Sequence, residues 1–116
     1  FIEEAWFEIS KIGKFRINCF GHLGDGNLHF NIFPNKGERR EDYNHVRPTI
    51  KTAIHDLVHL HGGSVSAEHG IGRLKINDLV KYSDPIKLKL NKSIKTVMDP
   101  NGILNPGVIF GSNLSE

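Results

Sequence analysis

The sequence has little of what would place it in several common classes of protein. Cysteine occurs once among 116 residues, at Cys19, so no internal disulfide can form. No apolar run approaches the roughly 20 residues that a helix needs to cross a bilayer. A disulfide-stapled fold and a membrane-spanning helix built from these residues are therefore both excluded.

The sequence also lacks a strong excess of charge of either sign. It has 15 basic and 13 acidic residues, and no run of Lys or Arg is longer than two. Nucleic-acid binding needs a basic patch or stripe, and none is visible here. With 38% apolar residues, the chain can build one domain with a modest core.

What the sequence does have is histidine, seven in all. Two of them flank a glycine-rich turn in GHLGDGNLHFN, residues 21–31. Residues 14–20 and 27–33 alternate between apolar and polar, which predicts two strands, and Asp25-Gly26 predicts a two-residue hairpin turn between them. In that register His22 lies directly opposite His29, and a one-residue slip would mix the apolar and polar faces.

The rest of the sequence predicts mainly helices. The last of them begins at Ser83-Asp84-Pro85, where a capping residue precedes proline, and ends at Asp99. The other predicted elements are helices over 2–11, 44–60 and 71–80 and short strands over 63–65 and 108–110. The last helix is expected to bury Ile86, Leu90, Ile94, Val97 and Met98. Together these elements predict an α+β domain with antiparallel strands.

Two imidazoles at hairpin spacing can share a divalent metal, but two ligands are too few for a complete site. Glu68, in the glycine-rich segment HGGSVSAEHGIG, is the best further candidate, and His69 beside it could accept a proton. The alternative is ordinary turn chemistry with solvated histidines. The four remaining histidines are interpreted as surface residues: His45, His55, His59 and His61. Arg73 and Lys75 are either helix-surface charges or anion contacts, and the pattern alone favours the surface.

Three segments, GHLGDGNLHFNI, GGSVSAEHGIGRLK and MDPNGILNPG, together resemble the C-terminal domain of the FAD-linked oxidases. This group contains D-lactate dehydrogenase, the glycolate oxidase FAD subunit and D-2-hydroxyglutarate dehydrogenase. The resemblance covers residues 14–110 and implies the C-terminal half of a ferredoxin-like antiparallel sheet, with helices on one side, followed by C-terminal helices. It also implies that residues 1–116 are one portion of a substrate domain whose FAD-binding domain lies upstream.

The resemblance assigns roles to individual residues. His22, His29 and Glu68 match the family's metal ligands, and His69 matches the general base, which also contacts the substrate. Asn31 matches a substrate-binding asparagine. Asn105 matches a segment that returns toward the flavin, although Val108 stands where the family usually has a lysine, which puts that lysine's contact in doubt.

The resemblance implies an enzyme that oxidises a D-2-hydroxy acid to the 2-oxo acid with FAD and a divalent metal. Zinc suits two histidines and a carboxylate, and manganese or iron would also fit. A protein or quinone electron acceptor, a homodimer, and a cytoplasmic, mitochondrial-matrix or membrane-peripheral location are further expectations. The chain alone is expected to be inactive. The alternatives are a metal-binding module without redox activity and a structural or interaction domain.

Overall fold

A computed structural model describes residues 1–111 and divides them into two compact units. The first unit is Phe1–Ala67, and the second begins at Glu68. Among the described residues, no helix combines the length and the hydropathy that crossing a membrane requires. The two units are described separately below.

The first unit consists of helices and one hairpin. Helix α1 packs against helix α2, and its core consists of Ala5, Ile9, Ile50 and Leu57. Trp6, which follows Ala5 in α1, is 50% exposed and lies outside this core. The elements are α1 Ile2–Ile12, β1 Arg16–His22, β2 Asn27–Phe33, a 3₁₀ turn Arg40–Tyr43, and α2 Arg47–Leu60.

The hairpin confirms the two predicted faces but not the predicted register. His22 pairs with Asn27, and His29 pairs with Phe20, so the prediction that His22 lies opposite His29 is wrong. The loop has four residues, 23–26, and the Gly26 amide donates to the His22 carbonyl at 3.0 Å. The register differs from the predicted one by two residues, which leaves every side chain on its expected face.

Helix α2 begins later than predicted and ends in a glycine motif. It starts at Arg47, with Pro48 in its first turn. Proline lacks an amide hydrogen, but amides of the first turn have no acceptor within the helix, so no hydrogen bond is lost. At its end the amides of Gly62 and Gly63 donate to the carbonyls of His59 and Val58 at 2.9 and 2.8 Å, which is a Schellman motif. The predicted strand over 63–65 is therefore wrong, since Gly63 uses its amide to end the helix.

The second unit contains two helices, α3 Ile76–Tyr82 and α4 Pro85–Met98. The predicted start of α4 is confirmed: the Asp84 carboxylate caps it by accepting from the Lys87 amide at 2.9 Å. Helix α3 begins at Ile76 rather than near Ile71, because residues 71–75 form turns. The predicted strand over 108–110 is wrong, since that segment consists of bends and Ile109 has a φ of 68°.

The predicted buried face of α4 is wrong. All five of its apolar side chains are between 58% and 78% exposed: Ile86, Leu90, Ile94, Val97 and Met98. Their spacing identifies one face of an amphipathic helix, but periodicity contains no information on what packs against that face.

Asp99 closes the C-terminal end of α4 as a buried acid, and it is only 5% exposed. Its carboxylate accepts from Lys95 Nζ at 2.5 Å and from the amides of Ile103 and Leu104 at 3.0 and 2.9 Å. The hydrogen bond from Lys95, followed by those from the two amides, lowers the pKa of Asp99 below its ordinary 3.8. The predicted helix stop is thus a hydrogen-bonded cap.

Four helices and an antiparallel two-stranded sheet in the described residues confirm the α+β class. The further expectation, that these elements are half of a ferredoxin-like sheet with helices on one side, stays a prediction.

Candidate metal and substrate site

The polar face of the hairpin presents three of the predicted site residues. His29 and Asn31 are two residues apart on β2, so both point to the face that His22 shares from β1. His22 and His29 are diagonal rather than opposite, yet their ring centroids are only 5.8 Å apart. The register correction therefore preserves the pair of imidazoles.

Each imidazole has a neighbouring side chain. The His29 ring stacks on Phe20, directly opposite it, at 4.9 Å between centroids and 9° between planes. His22 Nδ1 lies 3.8 Å from the Asp25 carboxylate, which also accepts from the Asn27 amide at 3.1 Å. A separation of 3.8 Å is too long for a hydrogen bond, so Asp25 lies near the His22 ring without fixing its orientation.

Gly21 allows the two strands to approach where the hairpin turns. A Cβ atom at this position would lie 2.1 Å from the Asn27 carbonyl oxygen and 3.0 Å from Leu28 Cα. No side chain fits at that distance, so the backbone next to His22 requires glycine.

Glu68 lies one peptide bond after Ala67, the last residue of the first unit, so its Cα is about 3.8 Å from that unit's own backbone. Ala67 has a φ of 48°, a left-handed conformation that is strained for a residue with a side chain. Glu68 opens the second unit, and its place as the third ligand beside His22 and His29 stays a prediction.

The donor chemistry of the three predicted ligands fits a divalent cation. Two neutral imidazoles and one carboxylate are a ligand set that zinc commonly takes in catalytic sites.

The other two predicted site residues belong to the second unit. His69 follows Glu68 in an exposed turn, and Asn105 is exposed with a φ of 48°. Arg73, interpreted from sequence as a surface charge, is exposed but donates to the Pro106 carbonyl at 2.9 Å. This bond joins the SAEHGIGR and NPG segments inside the second unit, and the roles of His69 and Asn105 stay predictions.

His61 is not one of the predicted metal ligands and has a structural contact of its own. Its Nε2 is 2.9 Å from the Glu4 carboxylate, and its ring meets Phe1 edge to face at 5.9 Å. The hydrogen bond with His61 lowers the pKa of Glu4. His61 thus ties the end of α2 to the start of α1, as a surface residue with a partner.

A cleft beside β2 was not expected from sequence. It has a volume of about 400 Å³, and Asn31 lines it together with three cationic side chains. Arg47 and Lys51 are four residues apart on α2 and so share a face, and Arg40 comes from the preceding 3₁₀ turn. The spacing of Arg47 and Lys51 was the only signal of this cleft in the sequence. Two cations at that spacing are also typical of an ordinary solvated helix face.

The α+β chain with its pair of hairpin imidazoles is similar to a family of known proteins. The profile of the family described as "FAD linked oxidases, C-terminal domain" matches residues 4–109. The chain therefore belongs to that family, as its three motifs indicated.

Several curated relatives match most of the chain. A D-2-hydroxyglutarate dehydrogenase from Stutzerimonas stutzeri is 41% identical over 84% of this chain and 21% of its own length. A mitochondrial D-2-hydroxyglutarate dehydrogenase from Arabidopsis thaliana is 42% identical over 82% of this chain and 16% of its own length. A D-lactate dehydrogenase from Anaerostipes hadrus is 39% identical over 82% of this chain and 20% of its own length. The chain thus spans about a fifth or less of the length of these relatives.

Proposed function

We propose that this chain is the metal- and substrate-binding part of an FAD-dependent dehydrogenase that oxidises a D-2-hydroxy acid to the 2-oxo acid. The observation that carries the proposal is the pair of imidazoles that His22 and His29 present on one face of the hairpin, with ring centroids 5.8 Å apart. Membership of the FAD-linked oxidase family and the names of the relatives, which act on D-2-hydroxyglutarate and D-lactate, support the same chemistry.

The hairpin residues hold and orient the substrate. His22, His29 and Glu68 bind a divalent cation, for which zinc is the first choice, and manganese or iron also suits the ligands. When bound, the cation supplies a Lewis acid beside the substrate hydroxyl and lowers its pKa. Asn31, on the same face two residues beyond His29, donates or accepts a hydrogen bond from the substrate.

His69 removes the proton from the substrate hydroxyl. A neutral imidazole carries one ring nitrogen without a hydrogen, and this nitrogen can accept a proton. The flavin, held mainly by a separate FAD-binding domain, supplies the acceptor for the hydride from C2. Asn105, beside Pro106 and Gly107, lies in the segment proposed to contact the flavin.

The test uses the intact flavoprotein and compares His69→Ala with His45→Ala. Both residues are exposed, but His45 is on a different segment, next to the 3₁₀ turn. Flavin bleaching by a panel of D-2-hydroxy acids should slow by at least a hundredfold in His69→Ala, the size of a lost general base, and stay normal in His45→Ala. Normal bleaching in His69→Ala would remove it as the base.

Metal content tests the ligands separately from turnover. His22→Ala and Glu68→Gln should each lower bound zinc, because each removes one of three protein ligands. If metal is lost in these variants while no 2-hydroxy acid bleaches the flavin, the chain is a metal-binding module without this redox activity. Unchanged metal in both variants would contradict the ligand assignment.

The partners and location follow from the same proposal. A protein or a quinone would be the acceptor for electrons from the flavin, and the intact enzyme is a homodimer in the cytoplasm or the mitochondrial matrix, or at a membrane surface. Relatives from Arabidopsis thaliana and Schizosaccharomyces pombe that are named as mitochondrial support a mitochondrial location.

A further inference from the structure

Phe20 interrupts the polar face of the hairpin. The other residues of β1 on this face are polar: Arg16, Asn18 and His22. The Phe20 side chain is 54% exposed and lies outside the core of the first unit. A large ring that stays half in solvent gains only part of the free energy that burial would supply. Packing in the core therefore does not explain a phenylalanine at this position.

The contact that Phe20 makes on this face is with His29. The register of the hairpin places the two residues directly opposite each other. Their rings are stacked, with 4.9 Å between centroids and 9° between planes. A nearly parallel pair at this spacing is a favourable arrangement of two aromatic rings. One face of the His29 imidazole is thus covered by a flat apolar surface.

A stacked ring restricts the plane of an imidazole without using its nitrogens. Both ring nitrogens of His29 present their hydrogen or lone pair at the edge of the ring, in its plane, and Phe20 covers a face. The torsion about the Cβ–Cγ bond of a histidine is broad in the absence of such a contact. Rotation of the His29 ring about this bond would turn its edge into the benzene ring. Phe20 therefore narrows the torsion and leaves the nitrogens available to a metal.

We infer that Phe20 is a positioning residue for the metal, and that it holds the His29 imidazole in the orientation from which a ring nitrogen binds the cation. The inference rests on the proposed function, because His29 is a ligand only under that proposal. A ligand that is already oriented loses less conformational freedom when the metal binds. Loss of the Phe20 ring should therefore weaken metal binding although every ligand remains.

The first experiment measures the zinc affinity of the intact flavoprotein by competition with a chelating dye. Phe20→Leu keeps an apolar side chain but removes the ring, and it should weaken zinc binding by roughly tenfold or more, the usual loss when a group that orients a metal-bound histidine is removed. Phe20→Tyr keeps the ring and should retain the affinity of the wild type.

Phe33→Leu is the matched control. Phe33 is on the same face of β2 as His29, is 44% exposed, and lies four residues further along the strand, about 14 Å away. Phe33→Leu should therefore bind zinc with the affinity of the wild type. If Phe20 served only the stability of the hairpin, Phe20→Leu and Phe33→Leu would bind zinc equally.

The second experiment detects the stack in the metal-free protein by NMR. The signals of the His29 ring protons, assigned by their loss in His29→Gln, should be shifted upfield by the ring current of Phe20. The shift should disappear in Phe20→Leu and persist in Phe20→Tyr and Phe33→Leu. Unshifted His29 signals in the wild type would overturn the inference, because the stack would then be absent.

The two experiments separate this inference from the proposed reaction. Equal zinc affinity in Phe20→Leu and Phe33→Leu would overturn the positioning role and leave His29 as a proposed ligand. Zinc affinity that is lost in Phe20→Leu and restored in Phe20→Tyr would support the positioning role even if no 2-hydroxy acid bleached the flavin. In that case Phe20 positions a metal ligand, and the redox reaction of the proposed function fails.

Discussion

The substitution Gly21→Ala tests whether the hairpin geometry positions the metal ligands. The new Cβ would lie 2.1 Å from the Asn27 carbonyl oxygen, whereas an ordinary contact is 3.4–4 Å. Relief requires a shift of at least 1.3 Å, the difference between 3.4 and 2.1 Å. The obstacle is backbone of β2, so the strands themselves must separate.

The expected cost follows from that separation. Moving the strands apart weakens one or two ladder hydrogen bonds, each worth about 0.5–1.5 kcal/mol, so the hairpin should lose about 1–3 kcal/mol. A metal site tolerates errors of only about 0.2 Å in its ligand distances, and His22 is the next residue. We therefore expect Gly21→Ala to weaken zinc binding by roughly tenfold or more.

Gly24→Ala is the matched control, since it lies in the same loop. A Cβ there has no atom within 4 Å, and its φ is outside the left-handed region. Urea unfolding should show Gly24→Ala as neutral or slightly stabilised, because alanine restricts the unfolded chain. Zinc affinity should be normal. Equal stability and equal zinc affinity in the two variants would refute the argument that close strand approach at Gly21 sets the site.

Two further predictions concern the second unit. Asp84→Ala should lower the free energy of unfolding by about 0.5–2 kcal/mol, because the Lys87 amide loses the carboxylate that accepts its hydrogen bond. Thermal unfolding measures this loss. Asp84→Asn keeps an acceptor and should retain most of the stability. Asp99 has a lowered pKa in the folded state, so its contribution is full above about pH 4 and is lost as the pH falls through the folded value. The urea midpoint should therefore fall more steeply on acidification below pH 4 in the wild type than in Asp99→Asn. If the two proteins show the same dependence of the urea midpoint on pH, the role of the charged cap is contradicted.

Much of the hairpin could be predicted from sequence because side-chain alternation has a period of two. Both predicted faces of the hairpin were confirmed, but the register was wrong by two residues. The pattern could not exclude this error, because a shift of two residues leaves every side chain on its own face. The choice between the registers depends on contacts outside the pattern: the bond from the Gly26 amide to the His22 carbonyl, and the fit of Gly21 against Asn27. The glycine pair after α2 was similarly ambiguous, because glycines both end helices and interrupt strands.

The sequence by itself determined local preferences and donor chemistry: the cap at Asp84, the amphipathic character of α4, and the supply of two imidazoles and a carboxylate. These properties depend on neighbours along the chain. Only the tertiary structure decided that His22 and His29 lie diagonally on one face of the hairpin, that the α4 face is exposed, and that Arg40 and Arg47 line one cleft with Asn31. Such contacts join residues distant in sequence, and a periodic pattern specifies which face a side chain occupies but not what that face meets.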